Sequence, residues 1–324
     1  MKAAVIGRYG PPEVVTLREV PTPVPAEDEV LVRAHTTTVN SGDTRVRGIN
    51  VPGGPAFAFL MRMSLGFNAP KQPVGGFEMA GEVMAVGRDV TGFKVGDRVV
   101  GSHGFRFGLH AEYAVFGKND ALALIPEGVS YETAVAVMFG GTTALTFFDK
   151  CGLKPGESIL INGASGAVGV MAVQIAKHLG AEVTAVCSAA NMDAVRSLGA
   201  DHIIAYDRED FIRNGKTYDV IMDNHGNAPF SRIKGSLKPG GRHLLVIFEK
   251  LGTFVSAKWN KQVVELNESD NAFTSDIYAR LLDLTARGVI RPMIDSVFAF
   301  ADIAEAHRRV DTGHKVGSVV VSFG

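Results

Sequence analysis

Up to Ile125 the chain reads as short β-prone apolar runs broken by Gly, Pro and charged positions. Ala3–Ile6, Val14–Leu17 and Glu29–Ala34 come first, with the Pro-rich connector Pro21–Asp28 between the second and third. Proline cannot donate to a ladder, so that connector is no central strand. Ala80–Val86, Arg98–Gly101 and Ala111–Val115 follow, the first two joined by the turn 87–97 (GRDVTGFKVGD). Short strands with Gly turns at this spacing predict a compact β barrel or sandwich.

The pattern changes near Pro126. Ser130 with Thr133 makes half a capping box, and the apolar stretch behind it to Phe148 predicts a helix. Strand Ser158–Asn162, helix Ala167–Leu179, strand Glu182–Cys187 and helix Asn191–Leu198 come next. The same rhythm continues through the strands His202–Ala205, Asp219–Met222 and Arg242–Phe248. Such alternation predicts a parallel sheet with helices on both faces. Ser275–Gly324 adds helix, strand, helix and strand, and no repeat of solenoid period is visible.

Composition narrows the classes. The length of 324 residues suits one large domain or two ordinary ones. Lys and Arg number 33 against 34 Asp and Glu, a net charge of −1 that offers no footprint for nucleic acid or an anionic membrane. A hydrophobic share of 46% with 21% charged residues is that of a globular chain with a sizeable core. Cys151 and Cys187 are too few for a disulfide framework or a four-cysteine zinc site, so a reduced, cytoplasmic setting is expected. The start, MKAAVIGRYGPP, is unlike a signal peptide, and Ala56–Phe67 is too short to span a bilayer and contains Arg62. No membrane partner is expected.

Chemistry enters at one turn. Apolar Ser158–Asn162 runs into Gly163-Ala164-Ser165-Gly166-Ala167-Val168-Gly169, which opens the next helix. The first Gly permits a tight turn, the second lets backbone N–H groups approach a pyrophosphate, and the third lets helix and strand pack closely. The positive helix end favours phosphate. This predicts dinucleotide binding through Gly163, Ser165, Gly166, Ala167 and Val168. An NAD-binding chain usually places an acid about 20 residues later, on the ribose 2′-hydroxyl. Here that stretch is Val186-Cys187-Ser188-Ala189-Ala190-Asn191, without an acid, so Ser188 and Asn191 can bond a 2′-phosphate. Tyr206 can add a hydroxyl or lie against adenine, and NADPH is the favoured cofactor. The ends of later strands add His225, Val246 and Ile247 as cofactor contacts. His35, His178, His202, His243 and His307 read as surface or packed residues. His103 and His110, flanking the loop GFRFG, read as loop caps.

These features resemble the zinc-independent medium-chain dehydrogenases/reductases, the quinone oxidoreductase-like family. The matching stretches are Val39–Asp43, Gly76–Val83, Phe93–Val99, His110–Tyr113, Gly140–Leu145, Gly163–Gly169, Ser197–Asp201 and Gly313–Gly317. The resemblance implies an α/β fold in which a doubly wound parallel (Rossmann) domain, residues 126–266, is inserted into a β-rich GroES-like catalytic domain. That domain takes residues 1–125 and 267–324, with a cofactor cleft between the two. Metal-dependent relatives carry Cys at Asn40 and His at Phe77, and neither an amide nor a phenyl ring replaces thiolate or imidazole on zinc. The proton-relay Ser or Thr of those relatives is Gly42 here, and an Arg common in close relatives near the 2′-phosphate is Ala190. No metal is expected. Asn40 and Asp43 are the implied catalytic residues, Asn40 holding nicotinamide or ribose and Asp43 fixing the local loop. Thr143 would approach the nicotinamide face.

The expected activity is metal-free hydride transfer from NADPH to a small-molecule quinone or α,β-unsaturated carbonyl. Two other readings stay open: a 2-enoyl-thioester reductase and a nucleotide-binding regulatory protein with little turnover. The thioester reading wants a Tyr proton donor, and none lies in the Asn40–Asn50 loop. Ala56–Phe67 either lines an apolar substrate pocket or covers core. Lys261–Leu266 reads as a sheet-edge strand, and the resemblance implies a homodimer joined there.

Overall fold

The computed structural model describes every residue except 50–53, 248–251, 253–257, 267–269 and 271, together with the side chain of residue 56. In chain order come β1 (Lys2–Ile6), β2 (Val15–Glu19), β3 (Val30–Val39), α1 (Ser41–Gly48), α2 (Gly54–Leu65), β4 (Glu78–Val86) and β5 (Arg98–Ser102). β6 (Tyr113–Phe116), β7 (Ala121–Leu124), α3 (Tyr131–Cys151), β8 (Ser158–Asn162), α4 (Ala167–His178) and β9 (Glu182–Cys187) follow. Then come α5 (Met192–Arg196), β10 (His202–Ala205), β11 (Tyr218–Asp223), α6 (Phe230–Ile233), β12 (Leu237–Leu245) and β13 (Val263–Val264). The last are α7 (Ser275–Ala286), β14 (Ile294–Ala299), α8 (Ile303–Asp311) and β15 (Ser318–Ser322). They fall into two compact units, one of Met1–Val51, Ala58–Phe139 and Phe273–Gly324, the other of Pro52–Phe57 and Gly140–Ala272.

The first unit is β-rich and built from both chain ends. Its main sheet has the order β14-β15-β3-β4-β5-β7, with β6 also on β3, and β1 and β2 form a separate ribbon. Strand β3 shows why the pattern works. Val30, Val32 and Ala34 alternate inward, as period-two side chains must, and join Val83, Leu109 and Phe116 in one core. The strand extends beyond Ala34 to Val39, and its second half is buried on both faces, so the alternating pattern does not mark it. A second core gathers Ile6, Val39, Ile303, Val319 and Val321 under α8.

The second unit is a six-stranded sheet, β10-β9-β8-β11-β12-β13, parallel throughout. This is the doubly wound dinucleotide order, and it reverses direction between β8 and β11, where such folds bind ligands at the strands' carboxyl ends. Leu160, Val186, Ile204 and Ile221 pack on one face with Phe211, Ala228 and Ile233. Val263 and Val264 form the edge strand beside β12.

Three expectations need correction. Within the Asn40–Asn50 loop, Ser41–Gly48 is helix α1, because Asn40 and Asp43 form a full capping box. The strand placed at 242–248 runs over Leu237–Leu245, its Pro239-Gly240-Gly241 lying inside the strand beside a register shift. Phe248 lies outside the described residues. Helix Asn191–Leu198 is a 3₁₀ turn, Ala189–Asn191, followed by the shorter α5.

One packing contact has a diagnostic sign. A Cβ on Gly140, within α3, would overlap the carbonyl oxygen of Ala167 at the start of α4. Helix propensity alone favours Ala over Gly by about 1 kcal/mol, whereas overpacking costs about 1–3 kcal/mol. Gly140→Ala is therefore expected to lower the urea midpoint of the protein. A raised midpoint would mean that the helix contact yields freely.

Candidate functional site

Of the three glycines of the β8–α4 turn, Gly163 makes the tight turn and Gly169 the close packing that the spacing predicts. Gly163 turns the chain at φ +77°, and the N–H groups of Gly163 and Ala164 donate to the Val186 carbonyl (3.1 and 2.9 Å). A Cβ on Gly169 would overlap the Gly163 carbonyl oxygen, so helix and strand meet only with glycine there. Gly166 caps α4 without a side-chain bond, and its Cβ would find nothing nearer than 3.6 Å. The first-turn amides of a helix lack partners within it, so the turn offers Ala167 and Val168 beside open space.

At the switch point a residue that the sequence did not single out organises the backbone. Asp223, fully buried at the end of β11, accepts from Asn162 Nδ2 (2.8 Å) and from the N–H groups of His225, Gly226 and Ala228 (3.1, 3.0 and 2.9 Å). His225 is exposed, and its backbone N–H is what joins this network. Val246 follows β12, its N–H on the Asp223 carbonyl (3.3 Å), and with Ile247 is half-buried. Both amide atoms of Asn224 are buried without a partner among the described residues, and its Cβ lies beside Gly163. An unmatched buried amide is costly, and its place in this turn fits a polar ligand. The signal for Asp223 and Asn224 was an Asp-Asn pair closing an apolar strand.

At the end of β9, Asn191 Nδ2 donates to Ser165 Oγ (3.2 Å), joining two expected cofactor contacts. Ser188 is half-buried and caps the 3₁₀ turn without a side-chain bond. Tyr206 is exposed, its N–H on the Cys187 carbonyl (3.0 Å). The expectation that no carboxylate stands here is corrected: Asp207, from the loop after β10, accepts from the Ala189 N–H (2.9 Å). The acid is delivered by the next strand, 18 positions from Ala189, and so lies outside the local spacing of β9. Thr143 lies half-buried on α3.

In the first unit the Asn40 side chain accepts from the N–H groups of Gly42 and Asp43 (2.8 and 3.2 Å), and Asp43 accepts from the Asn40 N–H (2.8 Å). The other Asp43 oxygen takes the Gly76 N–H (3.2 Å). Asp43 thus holds a helix start to the β4 approach. Asn40 Nδ2 is buried without a partner among the described residues. A Cβ on Gly42 would lie 2.7 Å from the Phe77 ring, so two of the three departures from the metal-dependent pattern lie side by side. Phe77 in turn meets Phe105, Phe107 and Phe139 edge-on (centroids 6.0, 4.8 and 5.8 Å). Among the described residues no three His, Cys, Asp or Glu are grouped to hold a metal ion.

Next to Phe77, Glu78 is fully buried, one oxygen taking the Thr38 hydroxyl (2.5 Å) and the other without a partner among the described residues. Burial pushes its carboxyl up to about 8; the Thr38 hydroxyl opposes this and the Asp43 charge adds to it. Asp43 is also raised by burial, against His110 and its two backbone donors. His110 bonds the Thr38 carbonyl through Nε2 (2.9 Å), and buried His307, 5.9 Å away, is pushed well below its ordinary value by burial. His103 ties its loop to the Phe107 and Val115 carbonyls (2.9 and 3.0 Å), a loop cap as expected. In the 56–67 segment Phe59, Leu60, Met63 and Phe67 are all more than half exposed, so these four do not cover core. No helix among the described residues is long and apolar enough to cross a membrane.

Comparison with known proteins agrees with both halves. A family model for an alcohol dehydrogenase GroES-like domain matches residues 26–127, and one for a zinc-binding dehydrogenase matches 198–321. A quinone oxidoreductase of Pseudomonas aeruginosa is 31% identical over 97% of this chain and 97% of its own length. A 2-methylene-furan-3-one reductase of Solanum lycopersicum is 28% identical over 99% of this chain and 79% of its own. The structure of the quinone oxidoreductase from Coxiella burnetii superposes with a TM-score of 0.86 at 27% identity, covering 100% of this chain and 99% of that one.

The Glu78 proton has a measurable consequence. Unfolded, this carboxyl titrates near its ordinary 4.5, whereas in the fold it titrates near 8. Between those values the native state keeps a proton that the unfolded chain has lost, so the stability Glu78 contributes falls as pH rises through the window. Glu78→Gln has no such proton. Its Tm relative to the parent protein is expected to be higher at about pH 8.5 than at about pH 5. A difference that does not change with pH would mean that native Glu78 is ionised throughout.

Proposed function

The chain belongs to the quinone oxidoreductase-like family of the medium-chain dehydrogenases/reductases, and from that premise we propose that it is an NADPH-dependent oxidoreductase passing hydride, without a metal, to a quinone or a carbonyl-conjugated alkene. The observation that carries this reading is the Asn40–Gly42–Phe77 arrangement, in which an amide whose Nδ2 has no partner among the described residues and a phenyl ring stand at the ligand positions of the metal-dependent pattern. Their chemistry suits an organic ring better than a cation. Bound nicotinamide supplies the hydride.

The chain's own groups bind and orient. Gly163, Gly166 and the Ala167 and Val168 amides take the pyrophosphate at the positive end of α4. Ser165, Ser188, Asn191 and Tyr206 take the adenosine ribose and its 2′-phosphate. Asn224, His225, Val246 and Ile247 face the dinucleotide at the switch point. Asn40 donates through Nδ2 to nicotinamide or its ribose, Asp43 fixes Asn40, and Thr143 approaches the nicotinamide. Quinones and conjugated alkenes accept hydride without a Lewis acid, which fits a site floored by Phe77. Relatives named for a quinone and for a furanone support the substrate class. The partner is a small molecule, and the functional form is a homodimer joined through the β13 edges.

The direct test is loss of NADPH absorbance with a panel of quinones and enones, before and after exhaustive chelation. Turnover that survives chelation is expected, and turnover lost together with one bound zinc per chain would reject the metal-free reading. Gly166→Val should abolish NADPH binding while leaving the fold intact, since a Cβ there meets nothing closer than 3.6 Å. Unchanged affinity would move the pyrophosphate elsewhere. Light scattering should give twice 34.5 kDa, reduced towards the monomer by Val264→Pro, which removes a ladder donor.

A further inference from the structure

Strand β9 ends without an acid, yet a carboxylate reaches its end from the neighbouring strand. Asp207 accepts from the Ala189 N–H through Oδ1 (2.9 Å), and Ala189 opens the turn that runs from Ser188 to Asn191. The Tyr206 N–H on the Cys187 carbonyl (3.0 Å) holds the two strand ends together. Cys187, the last residue of β9, feels the result: burial and then the Asp207 charge push its thiol up to about 11. Asp207 is exposed, and among the described residues no Lys, Arg or His forms an ion pair with it. Asn191, one of the two groups expected to bond a 2′-phosphate, already donates to Ser165 Oγ (3.2 Å).

In dinucleotide folds the end of this strand is where the adenosine ribose is read, an acid there taking the 2′-hydroxyl. We propose that Asp207 is the ribose-reading residue of this chain, delivered by the β10 loop instead of by β9, so that NADH binds alongside NADPH and the preference for a 2′-phosphate is held down. The proposal rests on the nicotinamide-dependent reading above. With Oδ1 committed to Ala189, the second carboxylate oxygen accepts from a ribose 2′-hydroxyl. A 2′-phosphate in the same place meets like charge, partly screened because the site is open to water. Asp207 therefore sets which of two donors the chain uses without touching the reacting atoms.

The test is equilibrium binding of NADPH and NADH, which is independent of any hydride acceptor. The parent protein is expected to bind both within about one order of magnitude. Asp207→Asn keeps an acceptor for the Ala189 N–H and removes the charge. It should tighten NADPH about tenfold and leave NADH unchanged or about twofold weaker, the scale of one screened charge pair. Asp207→Glu keeps the charge and should leave NADPH near the parent affinity. Equal changes for both nucleotides, or a Glu variant that behaves like the Asn variant, would overturn the assignment. Binding of neither nucleotide by the parent protein would overturn the nucleotide reading and this inference with it. Binding of both without quinone or enone turnover would leave the inference standing and reject only the acceptor.

Discussion

Gly169 has no room for a side chain, because the Gly163 carbonyl oxygen lies where its Cβ would be. That contact fixes how close α4 can lie to the end of β8, and the closeness in turn brings the first amides of the helix to the mouth of the parallel sheet. Gly140 repeats the constraint from the other side, pressing α3 onto the Ala167 carbonyl. The start of α4 is held between two glycine contacts, while Gly166 looks onto open space. A helix pinned this way keeps its first amides in place, which is the pre-organisation that the proposed pyrophosphate site calls for.

Both units solve the same electrostatic problem in the same way. A buried carboxylate is tolerated only when hydrogen bonds replace its water. Asp223 collects a side-chain amide and three backbone N–H groups, and Asp43 collects the N–H groups of Asn40 and Gly76. Each carboxylate thereby shapes a turn, and each turn carries an asparagine whose amide has buried atoms without a partner, Asn224 in one and Asn40 in the other. Unmatched buried amides lower stability. Their survival beside two well-satisfied carboxylates is the sort of local inconsistency that functional sites retain.

The parallel sheet and the glycine turn were legible in the sequence because both depend on short-range pattern: apolar strands four to six residues long, helices between them and glycines at fixed offsets. Asn40 and Asp43 were legible as site residues but not as a helix start, although Asn-x-x-Asp has the spacing of a capping box. The second half of β3 was hidden because Thr36, Thr37 and Thr38 are buried, their polarity matched in part by Glu78. Asp207 was hidden for a different reason. Its partner Ala189 is 18 positions away and meets it only because β9 and β10 pair in register, Ala205 against Cys187. Residues that act across strand ends are set by pairing, and pairing is a property of the sheet rather than of any one segment.

The neighbourhood of Phe77 shows how sequence departures become chemistry. Asp43 and Glu78 share one dry region, and two carboxylates so placed do not both ionise easily. The donors decide between them. Asp43 has two backbone N–H groups and His110 nearby, whereas Glu78 has one hydroxyl and an oxygen with no partner among the described residues. Glu78 therefore keeps its proton near neutral pH. With Glu78 neutral, Phe77 seated against Gly42 and Asn40 offering an N–H instead of a thiolate, this corner presents an apolar wall with one directed donor. Such a surface draws no cation by charge. On the function proposed above, such a surface orients a planar ring by packing and a single hydrogen bond, which is the demand that hydride transfer makes on a protein whose cofactor supplies the reactivity.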